Sequence, residues 1–116
     1  MLDLIQTTKI TDEQRKKIIL ESMADKYCKL ILKNTLDKPK SAIIIAQEEK
    51  IPLSTVYRKI KKLCDGKLLA ISGSINRDGK KYFLYMSKIR EINIRWDVIE
   101  TKIDCVLNNP KPEDIN

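Results

Sequence analysis

The sequence predicts an α+β fold, mainly helical, in which paired strands follow a series of short amphipathic helices. Three observations carry that prediction. The segment Ile51-Pro-Leu-Ser-Thr-Val-Tyr-Arg-Lys-Ile-Lys-Lys-Leu63 sorts onto two faces when wound at about 100° per residue. Val56, Ile60 and Leu63 then fall at the i, i+4, i+7 spacing of a buried stripe. Asp78-Gly79 is a strong turn signal between two runs that read as strands. Ile92, Ile94, Trp96 and Val98 alternate with Asn93, Arg95 and Asp97, which is strand periodicity.

The elements follow in order. Residues 1–10 read as a loosely held arm. Thr11-Asp-Glu-Gln14 is a capping-box pattern and predicts a helix from about Asp12 to Met23, with Ile18, Ile19 and Met23 turned inward. A bend at Ala24-Asp25 lets Asp25 cap a second helix reaching about Thr35. Its stripe is Tyr27 or Cys28 with Leu30 and Ile31, and Leu36 and Pro39 end it. Ser41 is the N-cap of a third helix to Glu49. Pro52 is excluded from a helix interior but suits the start of the fourth, which spans 54–65 with Gly66 as its C′ residue.

Strands are predicted at 67–73 and 81–87, with 74–80 as the connection. For the stretch after the second strand two readings fit. Ile103, Cys105 and Leu107 alternate as a returning strand would, whereas Ile99, Ile103, Val106 and Leu107 also line one helix face. The expected division is an arm over 1–10, a domain over 11–90, a separate element over 91–108, and a disordered polar tail over 109–116 with Pro110 and Pro112.

Composition narrows the function. The 116 residues allow one domain with a modest core, aliphatic because only 5% of the chain is aromatic. No apolar run approaches the length of a membrane span, and Met1-Leu-Asp-Leu-Ile-Gln6 lacks the pattern of a signal peptide, so a cytoplasmic protein is expected. Cys28, Cys64 and Cys105 are odd in number and widely spaced, which reads as buried thiols in a reducing compartment; a redox sensor is the sharper alternative. The chain has no His, the commonest transition-metal ligand and acid–base catalyst. No metal, no cofactor and no catalytic centre are expected.

Charge points to a polyanion. The net charge is +7, and between Lys50 and Arg90 eleven Lys and Arg stand against two acids, Asp65 and Asp78. Segregation of one sign onto one unit favours nucleic acid over a merely solvated surface. The helix 54–65 is apolar behind and carries Ser54, Thr55, Arg58, Lys61 and Lys62 in front, with Tyr57 flanking. Such a face suits the DNA major groove, where Lys and Arg meet phosphates and Arg, Ser or Thr meets base edges.

Arg58 is the first candidate for base reading, with a phosphate clamp as its simpler role. Ser54 and Thr55 are equally readable as caps or as DNA contacts. A short helix, a tight turn and a basic helix form a helix-turn-helix, and a hairpin directly after it is a wing. The first two predicted helices make an N-terminal extension to this winged helix-turn-helix. The wing, 74–81, would bring Asn76, Arg77, Lys80 and Lys81 to the backbone or minor groove.

Three segments carry a family resemblance: Ile51-Pro-Leu-Ser-Thr-Val-Tyr-Arg-Lys-Ile60, Gly66-Lys-Leu-Leu69, and Gly73-Ser-Ile-Asn-Arg-Asp-Gly-Lys-Lys-Tyr-Phe-Leu-Tyr85. Through them the chain resembles the archaeal ArsR-like winged helix-turn-helix transcriptional regulators, over roughly Asp25 to Ile94. The resemblance implies a sequence-specific double-stranded DNA-binding regulator in the cytoplasm and leaves any small-molecule effector unknown. It also implies that a hairpin or helix after the wing helps form a dimer.

Ile92, Ile94 and Trp96 are accordingly the candidate homodimer interface, the alternative being that they cover the domain's own core. The competing functions are a winged-helix protein-interaction module and a nonspecific architectural nucleic-acid binder.

Overall fold

The computed structural model describes residues 6–109. The expected arm before Gln6 and the expected tail after Asn109 lie outside the described residues. Four helices and six strands make an α+β fold. Helix and strand take nearly equal shares of the chain, so the helical emphasis of the sequence reading is corrected.

The first element is a strand, β1 (Thr7–Ile10), rather than a loose arm. Its residues pair antiparallel with Thr7 opposite Val106 and Ile10 opposite Ile103, and Ile10 is buried. Helix α1 (Glu13–Met23) is capped by Asp12, whose carboxylate accepts from the Gln14 N–H at 2.9 Å. The cap thus falls one residue later than the Thr11 pattern predicted. Ile19 is fully buried on α1, while Ile18 and Met23 are half-buried.

Asp25 caps α2 (Lys26–Asn34), accepting from the N–H groups of Tyr27 and Cys28. Cys28, Ile31 and Leu32 form its buried stripe, and Tyr27 and Leu30 pack at the margin. A two-residue strand, β2 (Lys40–Ser41), follows. Ser41 then caps α3 (Ala42–Glu49) by accepting from the Ile44 N–H at 3.3 Å.

Lys50 closes α3 in the left-handed conformation (φ 56°), which turns the chain sharply into Ile51-Pro52. Helix α4 (Leu53–Asp65) starts one residue earlier than predicted, with Pro52 at its cap and no side chain bonding the first turn. Val56, Ile60 and Leu63 are buried, as the spacing required. The role expected of Gly66 is corrected: its φ is −81°, and the left-handed residue after α4 is Lys67 (φ 58°). Gly66 is required for space instead. A Cβ there would lie 2.9 Å from Ile18 Cγ2, so the absent side chain is what lets α1 pack against the end of α4.

Strands β3 (Leu69–Arg77) and β4 (Lys80–Ser87) form a hairpin, with β2 on the other side of β4. The expected connection 74–80 is mostly strand. Only Asp78 and Gly79 turn, both at positive φ (53° and 76°), the backbone of a tight two-residue hairpin loop. At Ser87 the chain passes into a second antiparallel sheet. There β5 (Ile89–Trp96) and β6 (Thr101–Leu107) form a hairpin, and β6 is central between β1 and β5. Of the two readings left open for this stretch, strands are what form. Buried residues of the helices and of both sheets join in one hydrophobic cluster around Ile19, Ile31, Ile45, Val56, Leu63, Leu68, Ile103 and Cys105.

Candidate nucleic-acid interface

Helix α4 is anchored by its apolar face and presents the opposite one. Ser54, Tyr57, Arg58 and Lys61 are exposed and Thr55 is half-buried. Arg58 donates through Nη2 to Thr55 Oγ1 at 3.3 Å and has no acidic partner among the described residues. Lys61 reaches Asp65 at 3.3 Å one turn on, with its side chain 79% exposed. Such a surface pair contributes little and exchanges readily.

The other two cations of α4 are engaged across helices. Lys62, expected on the outward face, is half-buried and meets Glu21 of α1 at 3.1 Å. Lys59 donates to Asp25, the cap of α2. Burial works to raise the Asp25 carboxyl. The Lys59 hydrogen bond and the two backbone donors outweigh it and hold the group below the usual carboxylate range. These two lysines fix α4 to the helices behind it. Their acids lie far away in sequence, so no local pattern marks them.

The hairpin register divides residues 74–83 between two faces, because directly opposed residues of an antiparallel pair share a face. Asn76 opposes Lys81, and Ser74 opposes Phe83. On the other face Arg77 opposes Lys80 beside the turn, and Ile75 opposes Tyr82. Lys81 lies 5.3 Å from the centre of the Phe83 ring. A small cleft joins this strand to α4, lined by Ser41, Tyr57, Lys81 and Phe83 among others. Lys81 and Phe83 thereby lie beside Tyr57 of α4, with Tyr82 also lining the cleft. Phe83 is an exposed ring in this surface.

Arg77 and Lys80 set two positive charges directly across a two-stranded ribbon, which costs folding stability in water. Neither has an acidic partner among the described residues, nor does Lys81. A phosphate between them would remove the repulsion.

The second candidate surface is the β5–β6 hairpin. Ile92, Ile94 and Trp96 share one face with Cys105, Ile103 and Thr101 opposite them. Ile92 is half-buried against the core, whereas Ile94 is 42% and Trp96 67% exposed. The core face of the sheet therefore continues past the helices that cover it.

Beyond Trp96 the turn adds Val98 and Ile99, 76% and 90% exposed, which the interface prediction did not include. Asp97 accepts from the N–H groups of Ile99 and Glu100, both at 3.0 Å, and this turn holds the two apolar side chains outward. The same backbone donors keep the Asp97 carboxyl below the usual range.

All three cysteines are free, and burial pushes each thiol up. Among the described residues no cluster of His, Cys, Asp and Glu could hold a metal ion, and no helix is long and apolar enough to cross a membrane. No family model and no curated protein matches the chain.

Proposed function

We propose that the chain is a winged helix-turn-helix protein of the archaeal ArsR-like kind, a sequence-specific transcriptional regulator that binds double-stranded DNA as a homodimer. It is a binding protein, not an enzyme. Helix α4 enters the major groove, with Arg58 on a base edge and Ser54, Thr55 and Tyr57 beside it. Lys61 and the hairpin residues Arg77, Lys80 and Lys81 lie on phosphates, and Asn76 follows the same side of the hairpin as Lys81.

One observation carries the reading. The cations of α4 that serve the fold are tied to acids across helices, while Arg58, Arg77, Lys80 and Lys81 are exposed with no acid opposite among the described residues. Unneutralised charge held on a rigid helix and ribbon suits a polyanion. Pairing through the face of Ile92, Ile94 and Trp96, extended by Val98 and Ile99, gives two copies of α4. In a twofold complex they would read half-sites about 34–36 Å apart.

The test is fluorescence anisotropy with duplex fragments from upstream of the protein's own gene, across a salt series. Four phosphate contacts in each of two copies give a log–log salt slope of about −7. Arg58→Ala should cost about 1–3 kcal/mol on the preferred fragment and relax selectivity. Duplex should outcompete single strands and RNA. Sequence-blind binding unaffected by Arg58→Ala would favour an architectural nucleic-acid binder, and absence of binding would favour a protein-interaction module.

A further inference from the structure

A recess lies between α2 and the start of β5, away from the basic face of α4. On α2, Lys29, Leu32 and Lys33 fall at i, i+3 and i+4, so two cations flank one apolar side chain on a single face. Leu36 continues that face beyond the helix end, and Met23 closes the recess from α1. The opposite wall is Ile89 to Ile92. The recess is open to solvent on one side and has a volume of about 330 Å³, at the low end of the range of small-ligand sites.

The sheet is irregular at this place. Ile89 pairs with Leu107 and Glu91 with Val106, so Arg90 has no partner and forms a bulge. Bulges re-aim side chains, and this one brings Arg90 to the recess. The floor is apolar, from Met23, Leu32, Leu36, Ile89 and Ile92. The rim carries Lys29, Lys33 and Arg90 against one acid, Glu91, which accepts from Asn93 Nδ2 at 2.9 Å. None of the three cations has an ion-pair partner among the described residues.

We propose that this recess binds a small amphipathic carboxylate. Its apolar body lies on Leu32, Leu36, Ile89 and Ile92, and its carboxylate sits among Lys29, Lys33 and Arg90. Charge complementarity selects the anion, and the volume selects a free small molecule over a folded partner. The site stands whether or not α4 binds DNA.

Decanoate is the probe, titrated into the full chain by calorimetry and followed by methyl NMR. Saturable one-to-one uptake with shifts at Leu32, Leu36, Ile89 and Ile92 is expected. Decyltrimethylammonium, with the same tail and opposite charge, should bind at least about tenfold more weakly; that comparison needs no variant. Lys33→Glu with Arg90→Glu changes two exposed side chains and should weaken decanoate by at least about tenfold at an unchanged melting temperature. Any of three results would overturn the proposal: equal binding of the two amphiphiles, shifts confined to Ile94 and Val98, or co-sedimentation with anionic lipid vesicles without uptake of the free acid.

Discussion

Val98→Gly should make the protein more stable and less able to self-associate. Val98 has φ 79°, a conformation in which a β-branched side chain crowds its own backbone. Holding a non-glycine residue there costs about 1–3 kcal/mol. Glycine removes that strain but adds about 0.5–1 kcal/mol of chain entropy to lose on folding. Val98 is 76% exposed, so truncation forfeits little burial within one chain. The balance is a gain of about 1 kcal/mol, or a melting temperature higher by about 4 °C in a domain of this size.

The measurement is thermal unfolding at a concentration where the chain is monomeric, because dimerisation would add its own stabilisation. Sedimentation equilibrium on the same samples reads the dimer constant. Strain persists where a contact offsets it, and in the proposed dimer the exposed Val98-Ile99 tip would supply that contact. A variant melting at or below wild type would refute the strain argument. A more stable variant that still dimerises fully would remove Val98 from the interface.

Other expectations concern the frame behind the basic face. Gly66→Ala should destabilise by about 1–3 kcal/mol in urea unfolding, since its methyl would meet Ile18 Cγ2 at 2.9 Å and a β-branched side chain yields little. Asp25 is depressed in the folded state, so its contribution is complete above the unfolded carboxylate value. That contribution is lost as pH falls through the lower folded value. Asp25→Asn should therefore flatten the acid limb of a stability–pH profile below the ordinary carboxylate range. Among the thiols, half-buried Cys64 should react with iodoacetamide before Cys28 and Cys105, both fully buried, as mass spectrometry of timed samples would show.

How much was legible depended on how local each cause was. Asp25 and Ser41 were readable as caps because a side chain bonds N–H groups two or three residues away. The buried stripe of α4 was readable because helical geometry alone puts Val56, Ile60 and Leu63 together. The turn at Asp78-Gly79 was readable because few residues accept positive φ twice in succession. Strand β1 was not: Thr7-Thr-Lys-Ile10 is short and weakly alternating, and it is a strand because β6 offers it an edge. Gly66 was identified as special but for the wrong reason, since the clash it avoids comes from Ile18, far back in the chain.

For the candidate interface, the sequence by itself determined the excess of positive charge after Lys50, the two faces of α4 and the hairpin that follows it. Composition and short-range periodicity are properties of the chain alone. Only the tertiary structure decided which cations are committed to the fold and which remain exposed. Lys59 and Lys62 meet acids of α2 and α1, whereas Arg58, Arg77, Lys80 and Lys81 meet none among the described residues. It also decided which hairpin residues share a face, through a register set by pairing, and that Ile94, Trp96, Val98 and Ile99 extend beyond the helices covering the rest of their sheet. Ion pairing, register and coverage each depend on a second segment of chain, and its position is fixed only when the whole core packs.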